Sequence, residues 1–340
     1  MSPSSTSSSE PVPPARRGVL RAVGVCLVLL LAFELVVARR EAVWTVRPRS
    51  SGAVLDVIEA RVLSHAPSPC VVVFGSSRLR DAIAPMVVER ELGLSRGDVL
   101  NLGVTAGTPF DAQHLFHRNR DILSGATVAL VGVEDWYVNG AIPPSARERR
   151  FATLGQRLET DGHVLPLLAG WAWHTYGAHD VIWHWMRARG RRGADVGVLE
   201  DGRLDWRLRS DGHNDPPRVD AERLLGGYQF TQHRMRRALA LVESLRRADI
   251  DVSVVQIPLH PEYTRLVAEE HEEVGTDFER ELRPIVSASN LSPLIWADDS
   301  AALGLRANHF RDYGHMTEDG AAVLSARIAH ELGSVRCQGD

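Results

Sequence analysis

The sequence predicts an α/β fold around a central parallel sheet. Two observations carry this expectation. Short apolar, β-branched runs recur along the chain, and helical apolar spacings lie between them. That alternation is the signature of a parallel sheet with helices on both faces.

The elements follow in order. Residues 70–74, Cys-Val-Val-Val-Phe, predict a first strand buried on both faces. Residues 85–92 predict a helix, with Pro85 suited to its first turn. A second strand is expected over 99–102, a helix over 111–123 and a third strand over 127–133. An amphipathic helix follows at 231–247, then a fourth strand at 252–257. Residues 263–286 are mostly helical, 294–296 form a short fifth strand, and 316–332 form the last helix. In such a sheet the working residues sit beyond the C-terminal ends of the strands.

Composition narrows the function classes. The 340 residues suit one large α/β domain or two small ones, and 44% hydrophobic content supplies a core. A net charge of -4 leaves no basic footprint for nucleic acid. Three cysteines make no disulfide framework. Cys70 and Cys337 would pair only if the fold brought the C-terminus beside the first strand, so free thiols are expected.

The N-terminal region divides in two. Residues 1–17 are rich in Ser and Pro and predict a disordered tail. Residues 18–38 are apolar, interrupted only by Arg21 and Glu34 near the ends. At ~1.5 Å per residue they match a bilayer core of roughly 30 Å, so one transmembrane signal anchor is expected. A signal peptide cleaved after Val36-Val37-Ala38, or a twin-arginine signal at Arg16-Arg17, is the alternative. Either places the domain outside the cytoplasm; a cytoplasmic domain on an anchor is the remaining option. A connector spans 39–68 and the main domain 69–340.

Residues 136–227 interrupt the strand–helix rhythm and are expected to be an insertion after the third strand. They carry Trp171, Trp173, Trp183 and Trp185 among His174, His179 and His184. The aromatics either pack the insertion, stack on sugar rings or dip into a membrane interface. His174 and His179 are five apart and share no helical face, so no metal is expected. An Asp201-Gly202 turn predicts a hairpin.

The chemistry concentrates at three strand ends. Ser77 closes Gly75-Ser76-Ser77 after the first strand. Asp312 and His315 sit three apart before the last helix. That spacing lets an imidazole reach a nucleophile while a carboxylate orients its other nitrogen, the logic of a Ser-His-Asp triad. The backbone N–H of Ser77, with that of Gly107 or Gly103, is a candidate oxyanion hole, because glycine admits close approach. Arg78 and Arg80 are candidates for an anionic substrate. Glu134 and Asp135 end the third strand in the substrate region. Asn139, His260, Asn308 and His309 are secondary candidates around them.

These blocks resemble the SGNH (GDSL-like) hydrolase superfamily. Its Gly-Asp-Ser block matches Gly75-Ser76-Ser77, with Ser in place of Asp. Its Asp-x-x-His block matches Asp312 and His315, followed by Gly320. Its second block fits Asn101 to Gly107 loosely. Its Gly-x-Asn-Asp block departs, since this chain has Gly132-Val133-Glu134-Asp135. The resemblance spans about 70–332 and implies a three-layer SGNH-like fold, a Ser77–His315–Asp312 triad and no cofactor. Within the superfamily the layout is similar to membrane-anchored proteins of alginate O-acetylation and lipoteichoic-acid D-alanylation. That implies an acyl-ester substrate, acetyl first, on a cell-envelope glycan, and a multi-spanning membrane acyltransferase as partner. A carbohydrate or lipid esterase, and a non-catalytic binding protein, are the alternatives.

Overall fold

A computed structural model describes residues 14–38, 68–144, 216–296 and 300–337, with 58, 63, 148, 152 and 155–156 as isolated positions. The Trp and His residues of the insertion, its hairpin and most of the connector lie outside the described residues.

After an N-terminal helix α1 (Pro14–Phe33) the chain enters β1 (Val71–Phe74), α2 (Ser77–Ala82) and α3 (Pro85–Leu92). Next come β2 (Val99–Asn101), α4 (Pro109–Arg118), α5 (Arg120–Leu123) and β3 (Val128–Gly132). Helices α6 (Pro217–Leu225) and α7 (His233–Arg246) lead to β4 (Asp251–Gln256). Helices α8 (Pro261–Glu270) and α9 (Glu272–Ala288), β5 (Leu294–Ile295) and α10 (Glu318–Leu332) complete it.

The five strands form one parallel sheet in the order β2-β1-β3-β4-β5. All of β1, β2 and β3 is buried. Successive side chains point to opposite faces. Val72 and Phe74 join Leu115 and Phe116 of α4 and Leu241 of α7 in one core. Val71 and Val73 join Val88 of α3 and Leu324 and Ile328 of α10 in the other. Helices therefore cover both faces, as the uninterrupted apolar strands require. The chain leaves β1 for β2 on one side and reaches β3 on the other, so the strand order reverses between β1 and β3. That switch point opens a crevice at their C-terminal ends.

Several expectations are corrected. The single helix expected over 111–123 starts earlier and breaks. Pro109 occupies its first turn, Asp111 caps it by accepting the Thr108 N–H at 2.9 Å, and Asn119 ends it with its side-chain amide on Leu115 O. The turn after β1 continues directly into α2, where the Ser76 hydroxyl caps the start by accepting the Arg78 N–H at 3.0 Å. Cys70 and Cys337 are not free thiols but a disulfide, with Cα atoms 5.1 Å apart. The tail after α10 runs back past the start of the sheet, where the Thr127 hydroxyl donates to Arg336 O.

The expected transmembrane helix over 18–38 is also modified. Helix α1 stops at Phe33 and passes into a π-helical turn, Glu34–Ala38. Among the described residues no helix is long and apolar enough to cross a membrane. The uncharged run of α1 extends only from Ala22 to Phe33, roughly 18 Å at ~1.5 Å per residue.

The disulfide closes nearly the whole domain into one loop, which restricts the unfolded chain more than the folded one. Cys337→Ser should lower stability by about 2–5 kcal/mol. A thermal melt of wild-type protein with and without reductant checks this: reduction should reproduce the variant's loss, and a reductant-insensitive melt would remove the bond from the account.

Candidate active site

The three candidate residues arrive from distant parts of the chain. Ser77 is the first residue of α2, lifted above the sheet by the turn after β1. His315 and Asp312 lie on the loop before α10, held by a bridge between Phe310 and Met316. Ser77 Oγ stands 2.8 Å from His315 Nε2. His315 Nδ1 stands 2.8 Å from Asp312 Oδ2 and 2.9 Å from Oδ1. A carboxylate only accepts, so the ring proton sits on Nδ1 and Nε2 presents its lone pair to the Ser77 hydroxyl.

Asp312 is itself fixed. Its Oδ1 accepts the N–H of Gly314 at 3.0 Å and of His315 at 2.8 Å. Burial pushes its pKa up, but the bond and charge of His315 and these two N–H groups outweigh that and bring it down to about 2. The carboxylate is therefore ionised wherever a serine nucleophile works.

Beside the triad lies a buried ionic cluster. The Arg78 guanidinium, 2% exposed, places Nη1 3.2 Å from Asp135 Oδ1 and Nε 3.4 Å from Glu134 Oε2. Its Nε also donates to the Tyr313 hydroxyl at 3.3 Å, and its carbon lies 4.4 Å from the Tyr313 ring centroid. Tyr263 donates to Asp135 Oδ2 at 3.1 Å. Burial opposes the charge on Arg78, yet Tyr313, Glu134, Asp135 and Tyr263 overcome it and hold its pKa well above the ordinary value. The phenols of Tyr263 and Tyr313 are pushed up, chiefly by burial. Glu134 also accepts from the Ser76 hydroxyl and the Trp136 indole. Arg78, Glu134 and Asp135 are thus brought to Ser77 as a bracing set, with Arg78, Glu134 and Trp136 on the wall of a cavity of about 570 Å³ that Ser77 and His315 share.

The expected oxyanion glycines are placed differently. The Gly103 N–H donates to Asn101 Oδ1 at 3.1 Å, and the Gly107 N–H donates to Val104 O at 2.8 Å. Both donors are spent within the fold. A Cβ at Gly103 would lie 2.5 Å from Arg80 Cβ, and one at Gly107 would lie 2.8 Å from Val104 O. Both glycines pack closely against neighbouring backbone, Gly103 against Ser76 O and Gly107 against Gly75 O. Among the described residues the Ser77 N–H stays a candidate, in the first turn of α2 where no intrahelical acceptor exists. Beside it Ala106 holds φ at 49° on the cavity wall, a conformation uncommon for a residue with a side chain.

Other candidates resolve into structural roles. Arg80 is fully buried, with Nε on Asp81 Oδ1 and Nη1 on Thr105 Oγ1, so it is closed to an anionic substrate. Asn139 is fully buried; its amide donates to Leu224 O and its oxygen accepts from Ala141 and Gln229, so it is no oxyanion donor. His260 caps α8 by accepting the Glu262 N–H, and its own N–H donates to Tyr313 O. His309 Nδ1 accepts the Arg306 N–H. The sequence reading missed Asp81, Tyr263 and Arg311 around the site. Asp81 was open to discovery once Ser77 was placed on a helix, since residues four apart share a face. Among the described residues no cluster of His, Cys, Asp and Glu is arranged to hold a metal.

No protein-family model matches the chain, and no curated protein gives a significant match.

The low pKa of Asp312 has a stability consequence of definite sign. Its folded value, about 2, lies below the ~3.9 of an unfolded aspartate. The contribution is complete above about pH 4 and lost as pH falls through about 2. Asp312→Asn should therefore cost about 2 kcal/mol near pH 5, with the gap to wild type closing below about pH 2. Urea midpoints of both proteins across that range check it; a gap independent of pH would contradict the assignment.

Proposed function

We propose that the chain is an SGNH-like serine enzyme that moves acyl groups from esters by a Ser77–His315–Asp312 triad. The observation that carries this reading is the hydrogen-bond chain from Ser77 through His315 to Asp312. Its members are 238 and 3 residues apart, and they meet at the C-terminal edge of a parallel sheet, beside its switch point. The order of the blocks along the chain, serine after the first strand and Asp-x-x-His before the last helix, supports placing it in that superfamily.

The chemistry follows from the geometry. Ser77 Oγ attacks the acyl carbonyl as its proton passes to His315 Nε2, and the carbonyl π pair moves onto oxygen. The intermediate collapses, the ester C–O bond breaks, and Nε2 returns the proton to the leaving alkoxide. A water or a second hydroxyl then attacks the acyl-enzyme by the reverse sequence. Asp312 holds the ring and stabilises the imidazolium without taking the proton.

The acceptor is a hydroxyl rather than water in the reading we favour. With the N–H groups of Gly103 and Gly107 spent internally and Glu134 in the place of the superfamily's Asn, the oxyanion site is thinly supplied among the described residues. One missing donor typically costs about 10²-fold or more in turnover. Slow hydrolysis suits acyl transfer, acetyl first, to a cell-envelope glycan, with a multi-spanning membrane acyltransferase supplying the acyl group. A plain esterase is the second reading.

The Cys70–Cys337 disulfide supports an oxidising compartment outside the cytoplasm. Helix α1 supports attachment to a membrane, since Val28 and Leu29 and their neighbours on α1 are largely exposed. In intact cells, added protease should digest the domain; full protection would refute export.

Turnover of a small acetyl ester tests the triad. Ser77→Ala and His315→Ala should each lose activity by orders of magnitude, and Asp312→Asn should lose about 10⁴-fold through the wrong imidazole tautomer. Because the three act as one unit, double variants should be little worse than singles. Additive losses, or a fully active Ser77→Ala, would overturn the reading. A burst of acyl-enzyme with slow turnover supports transfer, fast turnover supports an esterase, and no acylation leaves a binding protein.

A further inference from the structure

His315 Nε2 faces two groups, not one. Ser77 Oγ lies 2.8 Å away, and Asp81 Oδ2 lies 3.8 Å away. Asp81 belongs to α2, four residues after Ser77, so both side chains leave the same face of that helix. It is 4% exposed. Two arginines accompany it: Arg80 Nε donates to Oδ1 at 3.0 Å, and Arg311 Nη2 lies 3.7 Å from Oδ2. The Arg311 backbone N–H also donates to His315 O at 2.8 Å, which fixes that arginine's origin beside the ring.

We infer that Asp81 is a second carboxylate of the active site, a positioning residue that stabilises the His315 imidazolium from the Nε2 side. The inference rests on the triad reading above and extends it from three residues to four. In the resting state Nε2 carries a lone pair, which gains nothing from a carboxylate nearby. When the Ser77 proton arrives on Nε2, as the bond from Oγ to the acyl carbon forms, the ring becomes a cation with Asp81 and Asp312 on opposite edges. The interaction is stronger after proton transfer than before it, which is the condition for lowering a barrier. The proton leaves Nε2 for the departing alkoxide, and Asp81 acts by its charge beside Arg80 and Arg311.

Among the described residues, the charged and titratable groups facing His315 include Asp312 and Tyr313 (ring centroid 6.2 Å away) from its own loop and Ser77 and Asp81 from α2, with Arg80 and Arg311 behind Asp81. Removing Asp81 and removing Arg311 should therefore act in opposite directions. Asp81→Asn should make the imidazolium easier to lose, and Arg311→Gln should leave Asp81 less compensated and make it harder to lose.

The test is an NMR pH titration of the His315 ring in Ser77→Ala protein, compared with the same protein carrying Asp81→Asn or Arg311→Gln. The midpoint should fall by about one pH unit or more with Asp81→Asn and rise with Arg311→Gln. In the enzyme with Ser77 intact, the acid limb of the kcat/KM profile should move the same way, and the Asp81→Asn plateau should drop by about tenfold. Unmoved midpoints, or shifts of the same sign, would overturn the inference. The ring titration needs no turnover, so it stands apart from any failure to acylate, which would count against the triad's activity. Should Asp81→Asn melt early, Arg311→Gln decides the matter through the sign of its shift.

Discussion

The site depends on one buried cation. Arg78 follows Ser77 directly, and its guanidinium reaches Glu134 and Asp135 beyond β3 and Tyr313 on the triad loop. Three segments from three parts of the chain are thereby pinned to one planar group. A buried guanidinium without counter-charges would be untenable, so both carboxylates after β3 are required by it. The Glu-Asp pair at the end of β3 thus has a structural role as Arg78's counter-charge. Glu134 extends the bracing to the Ser76 hydroxyl and the Trp136 indole. Ser76 in turn caps the helix that presents Ser77.

The same bracing shapes the chemistry proposed for the site. A carboxylate at Glu134 accepts and cannot donate to a developing oxyanion. Gly103 and Gly107 pack closely against neighbouring backbone, with their N–H groups bonded inside the fold. On the proposed reading, a firm Ser77–His315–Asp312 relay flanked by Asp81, with few oxyanion donors among the described residues, would suit holding an acyl group until an acceptor arrives more than rapid release to water.

Much of the fold was legible because it rests on periodicity. The run Val71-Val72-Val73-Phe74 is apolar on both faces, and Pro85 to Leu92 carries its own start signal; both appear where expected. The approach of Ser77, His315 and Asp312 follows from strand–helix order, which places Ser77 after β1 and the Asp312–His315 spacing before α10. What was not legible depends on three-dimensional return of the chain. Cys337 reaches Cys70 only because the tail after α10 doubles back past Thr127. The donors of Gly103 and Gly107 are spent on Asn101 and Val104, contacts that no spacing rule specifies. Asp81 carries no local signal of its own, because only the continuation of the β1 turn as helix α2 places it on the Ser77 face.

The central claim is that Ser77 is a nucleophile activated by His315. Its most direct measurement is peptide mass spectrometry after treatment with a fluorophosphonate, which traps activated serines covalently. The adduct is expected on Ser77 alone, formed in wild-type protein and absent when His315 is replaced by Ala. An adduct on Ser76 or elsewhere, or none on folded wild-type protein, would contradict it.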